Sequence, residues 1–339
     1  MVTLYVVSAG NAAGKTTICA GLGKHLLLEG NKVGFFKPII ADKKPGDDSD
    51  ALFMKEALSL SEPLDSISPL LNNDSDPSGK MKEAFARIAQ DKDVVIVEGI
   101  CGETPGDTLS KAAYEVAGTL KARVIVIESY SPSSGAEFIN SYKGFAGNLL
   151  GVIVNKIPES QLQSVSDELS SRFAKAGINV LGMLPEDRRL STISIGELSE
   201  HIQGEILNNA EKSSELIENL MLGAMCVDSG LDYFGRKADK AVVIRDDRPD
   251  MQLAALETST RCLIISGDTP PIHSVLYRAG DKGVPIIITK SDAGAILENI
   301  TDAMSSARFH HEKKLPRLAE IMEQQLDLAA ISNGLGLAK

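Results

Sequence analysis

The sequence predicts an α/β chain in two parts. A doubly wound parallel-sheet domain is expected over residues 1–208 and a second, smaller α/β domain over 216–325, with 326–339 as a helix end and tail. Three observations carry this reading. Short runs of Val, Ile and Leu recur along the chain, and such near-continuous apolar runs suit strands buried on both faces. Helical stretches separate the runs, and this alternation implies right-handed crossovers and a layered sheet. A polar stretch with no periodic apolar face, Asn208 to Glu215, divides the series and reads as a linker.

The elements follow in order. Leu4 to Ser8 is a first strand, then a glycine-bearing loop, then a helix from Thr16 to Leu28. Lys32 to Phe36, Asp93 to Val97, Arg123 to Ile127, Gly151 to Val154 and Asn179 to Leu184 complete the first set of strands, with helices at Leu109 to Leu120 and Gln161 to Ala176 among them. Beyond the polar stretch, strands are expected at Leu222 to Val227, Lys240 to Ile244, Cys262 to Ser266 and Val284 to Thr289. Met251 to Glu257, Ile272 to Ala279 and Leu315 to Ala330 read as helices, and Ser332 to Lys339 as a frayed tail.

Composition narrows the classes. The chain has 339 residues and a net charge of -11, a field that disfavours nucleic acid and anionic lipid as partners. Trp is absent and aromatics are 4%, so platforms for base stacking are scarce. No apolar run approaches the ~20 residues that span a bilayer, and the N-terminus lacks the basic region of a secretory signal. Cys19, Cys101, Cys226 and Cys262 form no CxxC pair. A disulfide framework or zinc site is therefore not expected, and reduced cysteines in a cytoplasmic protein are.

The sharpest signal is Ser8-Ala9-Gly10-Asn11-Ala12-Ala13-Gly14-Lys15-Thr16-Thr17, between a strand and a helix. Small residues let backbone N–H groups close round a phosphate, and the helix N-terminus adds its dipole. Lys15 supplies a point charge for β- and γ-phosphates and Thr16 a hydroxyl for Mg²⁺. Asn11, Ala12, Ala13, Gly14, Lys15, Thr16 and Thr17 are the nucleotide-binding set; the strict pattern would have Gly in place of Ala9.

Other parts of such a site can be sought. The strand Val94 to Val97 ends in Glu98, the carboxylate that a metal-binding strand end requires, although a solvated acid would look the same. Lys37-Pro38 closes the second strand, at the sheet edge where ligands bind, so Lys37 either reaches the same phosphates or is a surface lysine. Asp50, at the start of the next helix, is either a magnesium ligand or a first-turn acid that suits the dipole. Arg248, at a helix start in the second domain, either holds an anion or makes a surface ion pair. His310-His311 are adjacent and point to different faces, which suits a polar helix end rather than a metal pair.

Taken together, Gly14-Lys15-Thr16-Thr17, Lys37-Pro38, Ser49-Asp50-Ala51-Leu52, Glu98-Gly99 and Val154-Asn155-Lys156 occur in the order seen in dethiobiotin synthetases. The chain resembles that family, the cobyrinic acid a,c-diamide synthases and the N-terminal domain of long phosphotransacetylases, over roughly residues 1–206. Gly182-Met183-Leu184-Pro185-Glu186-Asp187 looks most like the phosphotransacetylase branch. Gly223-Ala224-Met225, Asp247-Arg248-Pro249-Asp250, Leu253 to Leu256 and Gly283-Val284-Pro285 resemble the DRTGG domain that follows there. Pro249 and Ser266-Gly267-Asp268 depart from its pattern.

The resemblance implies ATP on the phosphate loop and Mg²⁺ held by Thr16, Asp50 and Glu98. It implies phosphate contact and catalytic roles for Lys15 and Lys37, and adenine recognition by Asn155. A regulatory second domain with a small anionic ligand and a homodimer are expected with it. Ile39-Ile40-Ala41 stands where dethiobiotin synthetases carry a substrate-binding serine, so that contact looks lost. No elbow motif or paired His supports Cys226 or Cys262 as a nucleophile, and the acetyl-transferring domain of phosphotransacetylases is not expected here. An ATP-binding, ATP-hydrolysing protein is the leading reading. The alternatives are a ligase that phosphorylates a small carboxylate or carbamate, and a nucleotide sensor without turnover.

Overall fold

A computed structural model describes residues 1–8, 10, 12–38, 48–70, 77–99, 111–134, 139–224, 229–305 and 307–337. Ala9, Asn11, Ile39 to Ala41, Cys101 and Cys226 lie outside the described residues. The chain forms two compact units, Met1–Asp187 with Phe309–Lys339, and Arg188–Arg308.

In the first unit six strands form one parallel sheet: β1 (Val2–Ser8), β2 (Val33–Phe36), β3 (Val94–Glu98), β4 (Arg123–Ser129), β5 (Leu149–Ile157) and β6 (Val180–Pro185). Their order is β2-β3-β1-β4-β5-β6. Every residue of β2 and β3 is buried, as strands covered on both faces must be. Helix α1 (Lys15–Leu28) follows β1 and buries residues right round its circumference, among them Ile18, Cys19, Gly21, Leu22 and Leu26. The cause is cover on both sides. The sheet lies on one flank, and the helix Leu315–Gln325 lies on the other, where a Cβ on Gly21 would stand 2.1 Å from Met322 Sδ and 3.1 Å from Leu318 Cδ2.

In the second unit β10 (Asn219–Leu222), β11 (Lys240–Arg245), β12 (Thr260–Ser266) and β13 (Ile286–Thr289) run parallel. They follow β7 (Ile193–Ser194), β8 (Glu205–Ile206) and β9 (Leu216–Ile217); β8 pairs antiparallel with β13, and β7 with β9. Val242, Ile244, Leu263 and Ile265 form a core with Met251 and Val275 on one face. Ala241, Val243, Cys262 and Ile264 do so with Leu198 and Ile296 on the other. The fold class is the one the sequence predicts, mixed α/β built on a parallel sheet.

The expected bounds of the parts need correction. The second unit begins at Arg188, not at 216, and ends at Arg308, not at 325. Residues 208–215 are polar because they bond a sheet edge, not because they link domains. Asn208 Oδ1 accepts from the Ile286 amide at 2.8 Å, and Lys212 Nζ donates to the Gly283 carbonyl at 2.6 Å. The C-terminal helices return to the first unit, where the Leu326 backbone bridges to Gly182 on β6. The start of the expected tail, 332–335, belongs to a helix, Leu328–Leu335, capped by Asp327 and burying Ile331 and Leu335. The strand expected at Leu222 to Val227 ends at Leu222, and residues 225–228 lie outside the described residues.

Candidate functional site

The site lies at the C-terminal ends of β1, β2 and β3. The register β1–β3 pairs Val6 with Glu98, and β2–β3 pairs Phe36 with Val97, so Lys37 emerges beside Glu98. Gly14 stands at the N-cap of α1 with φ +94°, a left-handed conformation that a side chain rarely adopts, and Ala12 is also left-handed at φ +54°. Lys15 is 8% exposed, and its Nζ donates to Ser8 Oγ at 3.0 Å, back across the loop.

The loop and the sheet are joined through Thr16, whose Oγ1 donates to Glu98 Oε1 at 3.0 Å. Lys37 Nζ lies 3.4 Å from the same oxygen and 3.3 Å from Asp48 Oδ1, and pairs with Asp50 Oδ2. Burial pulls the Lys37 ammonium down, but Glu98, Asp50 and Asp48 more than offset it and hold it above its ordinary value. Burial pushes the Glu98 carboxyl up; Lys37 draws it back only in part. Burial also raises Asp50, yet hydrogen bonds from His310 and Lys37 hold it well below the usual carboxylate range.

Helix α2 (Ser49–Ala57) sets the acids. Asp48 is its N-cap and accepts from the Asp50 amide at 3.0 Å. Ser68 Oγ holds the other Asp48 oxygen at 3.2 Å. On the far side His310 Nε2 lies 2.6 Å from Asp50 Oδ1. At the end of β5, Asn155 Nδ2 donates to the Ala13 carbonyl at 2.8 Å.

The structure therefore brings together Gly14, Lys15, Thr16, Lys37, Asp50, Glu98 and Asn155. Asn11 lies outside the described residues. Sequence reasoning missed Ser8, Asp48, Ser68 and His310. Asp48 was legible as a helix N-cap two residues before Asp50. His310 was misplaced as a helix-end residue, whereas only His311 caps a turn, accepting from the Lys313 amide.

A Mg²⁺ ion fits these groups. Glu98 Oε2 is buried with no hydrogen-bond partner among the described residues, beside the Thr16 hydroxyl. Among the described residues no cluster of three His, Cys, Asp or Glu side chains forms a metal cage. Mg²⁺ needs none, because it is commonly held by one or two carboxylates with phosphate oxygens and water.

In the second unit Arg248 pairs with Asp250 through two hydrogen bonds, Nε to Oδ1 at 3.0 Å and Nη2 to Oδ2 at 2.9 Å. This is the contact that the ion-pair alternative expects, and an anion would have to compete with it. Cys19 and Cys262 are free and buried, and burial pushes both thiols up. Among the described residues no helix is long and apolar enough to cross a membrane.

Fold and loop together define a P-loop domain on a parallel sheet, followed by a second α/β unit. The chain belongs to the AAA domain family (the AAA_26 type), whose pattern matches residues 2–194, and the DRTGG domain pattern matches residues 197–303. The phosphate acetyltransferase of Nitrosomonas europaea is 25% identical over 314 residues, covering 84% of this chain and 45% of that protein. That of Pseudomonas aeruginosa is 23% identical over 372 residues, covering 99% and 52%. The chain thus spans about half the length of these relatives. Among solved structures, MinD of Aquifex aeolicus aligns with 56% of this chain and 84% of its own, at 17% identity and a TM-score of 0.38. The CBS and DRTGG domains of Clostridium perfringens pyrophosphatase, complexed with diadenosine tetraphosphate, align with 45% and 74%, at 17% and 0.30. Likenesses so partial carry no argument.

Proposed function

We propose that the first unit binds ATP with Mg²⁺ and hydrolyses it, and that the second unit regulates this. The observation that carries the reading is the convergence of Lys15, Thr16, Lys37 and Glu98 at three neighbouring strand ends. Backbone N–H groups at the start of α1 and the Lys15 ammonium receive the phosphates. Lys15 leaves Ser8 Oγ for a phosphate oxygen, exchanging a neutral acceptor for a charged one. Lys37 stands within reach of the same charge once Asp50 and Glu98 are otherwise engaged. Thr16, Asp50 and Glu98 hold Mg²⁺, which when bound neutralises charge on the β- and γ-phosphates. Asn155 uses one amide hydrogen on Ala13 and keeps a second donor for the adenine. Phosphoryl transfer works largely by positioning and electrostatics, so this set suffices without a nucleophile from the chain.

For the second unit the role is regulatory. A small anion there competes with Asp250 for Arg248. A cytoplasmic homodimer belongs to the same proposal, and sedimentation checks the dimer.

Calorimetric titration with ATP and Mg²⁺, paired with a phosphate-release assay, tests the reading. Lys15→Ala should weaken ATP binding by roughly 1.5–3 kcal/mol, the worth of a hydrogen bond to a charged group. Wild-type affinity in that variant would remove the phosphate-loop assignment. ATP binding without phosphate release would favour a sensor, and release only on adding a carboxylate substrate would favour a ligase.

A further inference from the structure

Phe309 and His310 lie beyond the DRTGG match, which ends at residue 303, and both come to α2. Phe309 meets Phe53 edge-on, with ring centroids 5.6 Å apart at 85°. His310 stacks on Phe53, centroids 5.4 Å apart at 24°. Phe53 is one helical turn from Asp50, on the same side of α2. The stack therefore aims the imidazole at the carboxylate, and Nε2 lies 2.6 Å from Asp50 Oδ1. The other oxygen, Oδ2, is the one paired with Lys37.

We propose that His310 is a positioning residue of the nucleotide site, holding Asp50 by Oδ1 so that Oδ2 faces the cation position. The inference rests on the ATP and Mg²⁺ reading above. His310 lies outside both matched regions, 2–194 and 197–303, so the site takes in a residue that neither pattern supplies. A carboxylate on a short side chain is free to turn about its last bond. One donor on a rigid aromatic stack removes that freedom before the cation arrives, and less ordering is left for binding. Nε2–H donates whether the ring is neutral in that tautomer or charged, so the role needs no change of protonation. Phe53 at 4% and Phe309 at 7% exposed are part of the core, which keeps the stack in place.

The test compares His310→Gln with His310→Met in the full chain. Both replacements are unbranched and similar in size, but only glutamine has a donor where Nε2 stood. ATP affinity is measured by calorimetry with Mg²⁺ and with a chelator, and folding is followed by thermal melting. The expected result is that His310→Met loses about tenfold or more of the Mg²⁺-dependent gain in ATP affinity, the usual effect of removing a carboxylate's outer partner. Its chelator-state affinity should stay at the wild-type level, and His310→Gln should restore most of the gain. In an Asp50→Asn background the His310→Met effect should vanish, because His310 acts through that carboxylate. A wild-type Mg²⁺ gain in His310→Met would overturn the proposal while leaving the ATP reading standing. So would equal losses in the Met and Gln variants. If wild type shows no Mg²⁺-dependent binding at all, the ATP and Mg²⁺ reading falls first and this proposal with it. Should His310→Met fail to fold, His310→Phe keeps the stack without the donor and is read against His310→Gln in the same way.

Discussion

Asn155 donates to the Ala13 carbonyl at 2.8 Å, and so ties the end of β5 to the phosphate loop next to Gly14. The same side chain accepts from the Lys156 amide at 2.9 Å through Oδ1, so its amide plane is set at both ends. The loop is thus held from the sheet, by a residue that the resemblance assigns to the adenine and not to the loop.

Gly14→Ala should weaken both the fold and nucleotide binding. A Cβ there would stand 2.4 Å from Asn155 Nδ2, and the backbone at φ +94° is strained for any side chain. Asn155→Ala alone should cost about 1 kcal/mol, the net worth of one ordinary hydrogen bond. The double variant should lose less than the two single costs added, because removing Asn155 also removes the clash. Chemical denaturation of the four proteins reads the cycle, and strict additivity would contradict the contact.

Glu98→Gln and Asp50→Asn should both reduce the Mg²⁺-dependent part of ATP affinity, since an amide oxygen is a poor ligand for a hard cation. They should differ in stability. Glutamine can still accept from Thr16 and removes a buried charge that burial already disfavours, so Glu98→Gln should leave the melting temperature close to wild type. Asp50→Asn forfeits charge-assisted bonds from Lys37 and His310 and should cost roughly 1.5–3 kcal/mol. Melting curves with and without Mg²⁺-ATP separate the two.

Lys240 gives a pH dependence in the second unit. It is fully buried on β11, donating to Thr258 Oγ1 at 2.9 Å and to the Ser259 carbonyl at 2.8 Å. Burial lowers its pKa from 10.5 to about 8, against a small opposing effect of Asp239. Between those values the unfolded chain binds the proton and the folded one does not, so stability rises with pH across that window. The contribution is full above 10.5 and gone below about 8. Thermal melts between these limits should show wild type gaining on Lys240→Met as pH rises. Parallel curves for the two would show that the amine does not titrate there.

Leu318→Ala tests whether the C-terminal helices are structural parts of the first unit. Leu318 is 1% exposed and lies against α1 at Gly21. Removing a buried leucine costs about 2–5 kcal/mol when the site collapses only in part. Urea unfolding should show a loss of that size, and a loss near zero would mean that the helix does not hold α1.

Much of this protein was legible in the linear chain. Continuous apolar runs such as Val94 to Val97 can be stable only when covered on both faces, which dictates a parallel sheet with helices on either side. Gly14-Lys15-Thr16 after a strand marks a phosphate loop because the chemistry is local: backbone amides, one charge and one hydroxyl within a few residues. Glu98 and Lys37 could be picked out because strand ends are where a parallel sheet exposes polar side chains to a ligand. Asp48 was within reach as the cap of α2.

Long-range contact was not legible. Nothing in residues 208–215 says whether polar side chains face water or bond a sheet edge; only the Ile286 amide opposite Asn208 decides it. Leu315 to Leu335 shows an apolar face, but a helix pattern does not say which unit supplies its partner. The close approach of Met322 and Leu318 to Gly21 of α1 settles that in favour of the first unit. His310 is the sharpest case. A pair of adjacent histidines carries no periodicity, and the contact of His310 with Asp50 exists only because Phe53 and Asp50 lie one turn apart on α2 where the chain returns. Local chemistry and burial pattern thus determined the sheet, the loop and the strand-end charges. Tertiary structure alone decided the unit boundaries and the partner of Asp50, because both depend on which surfaces meet, and neighbours in sequence do not encode that.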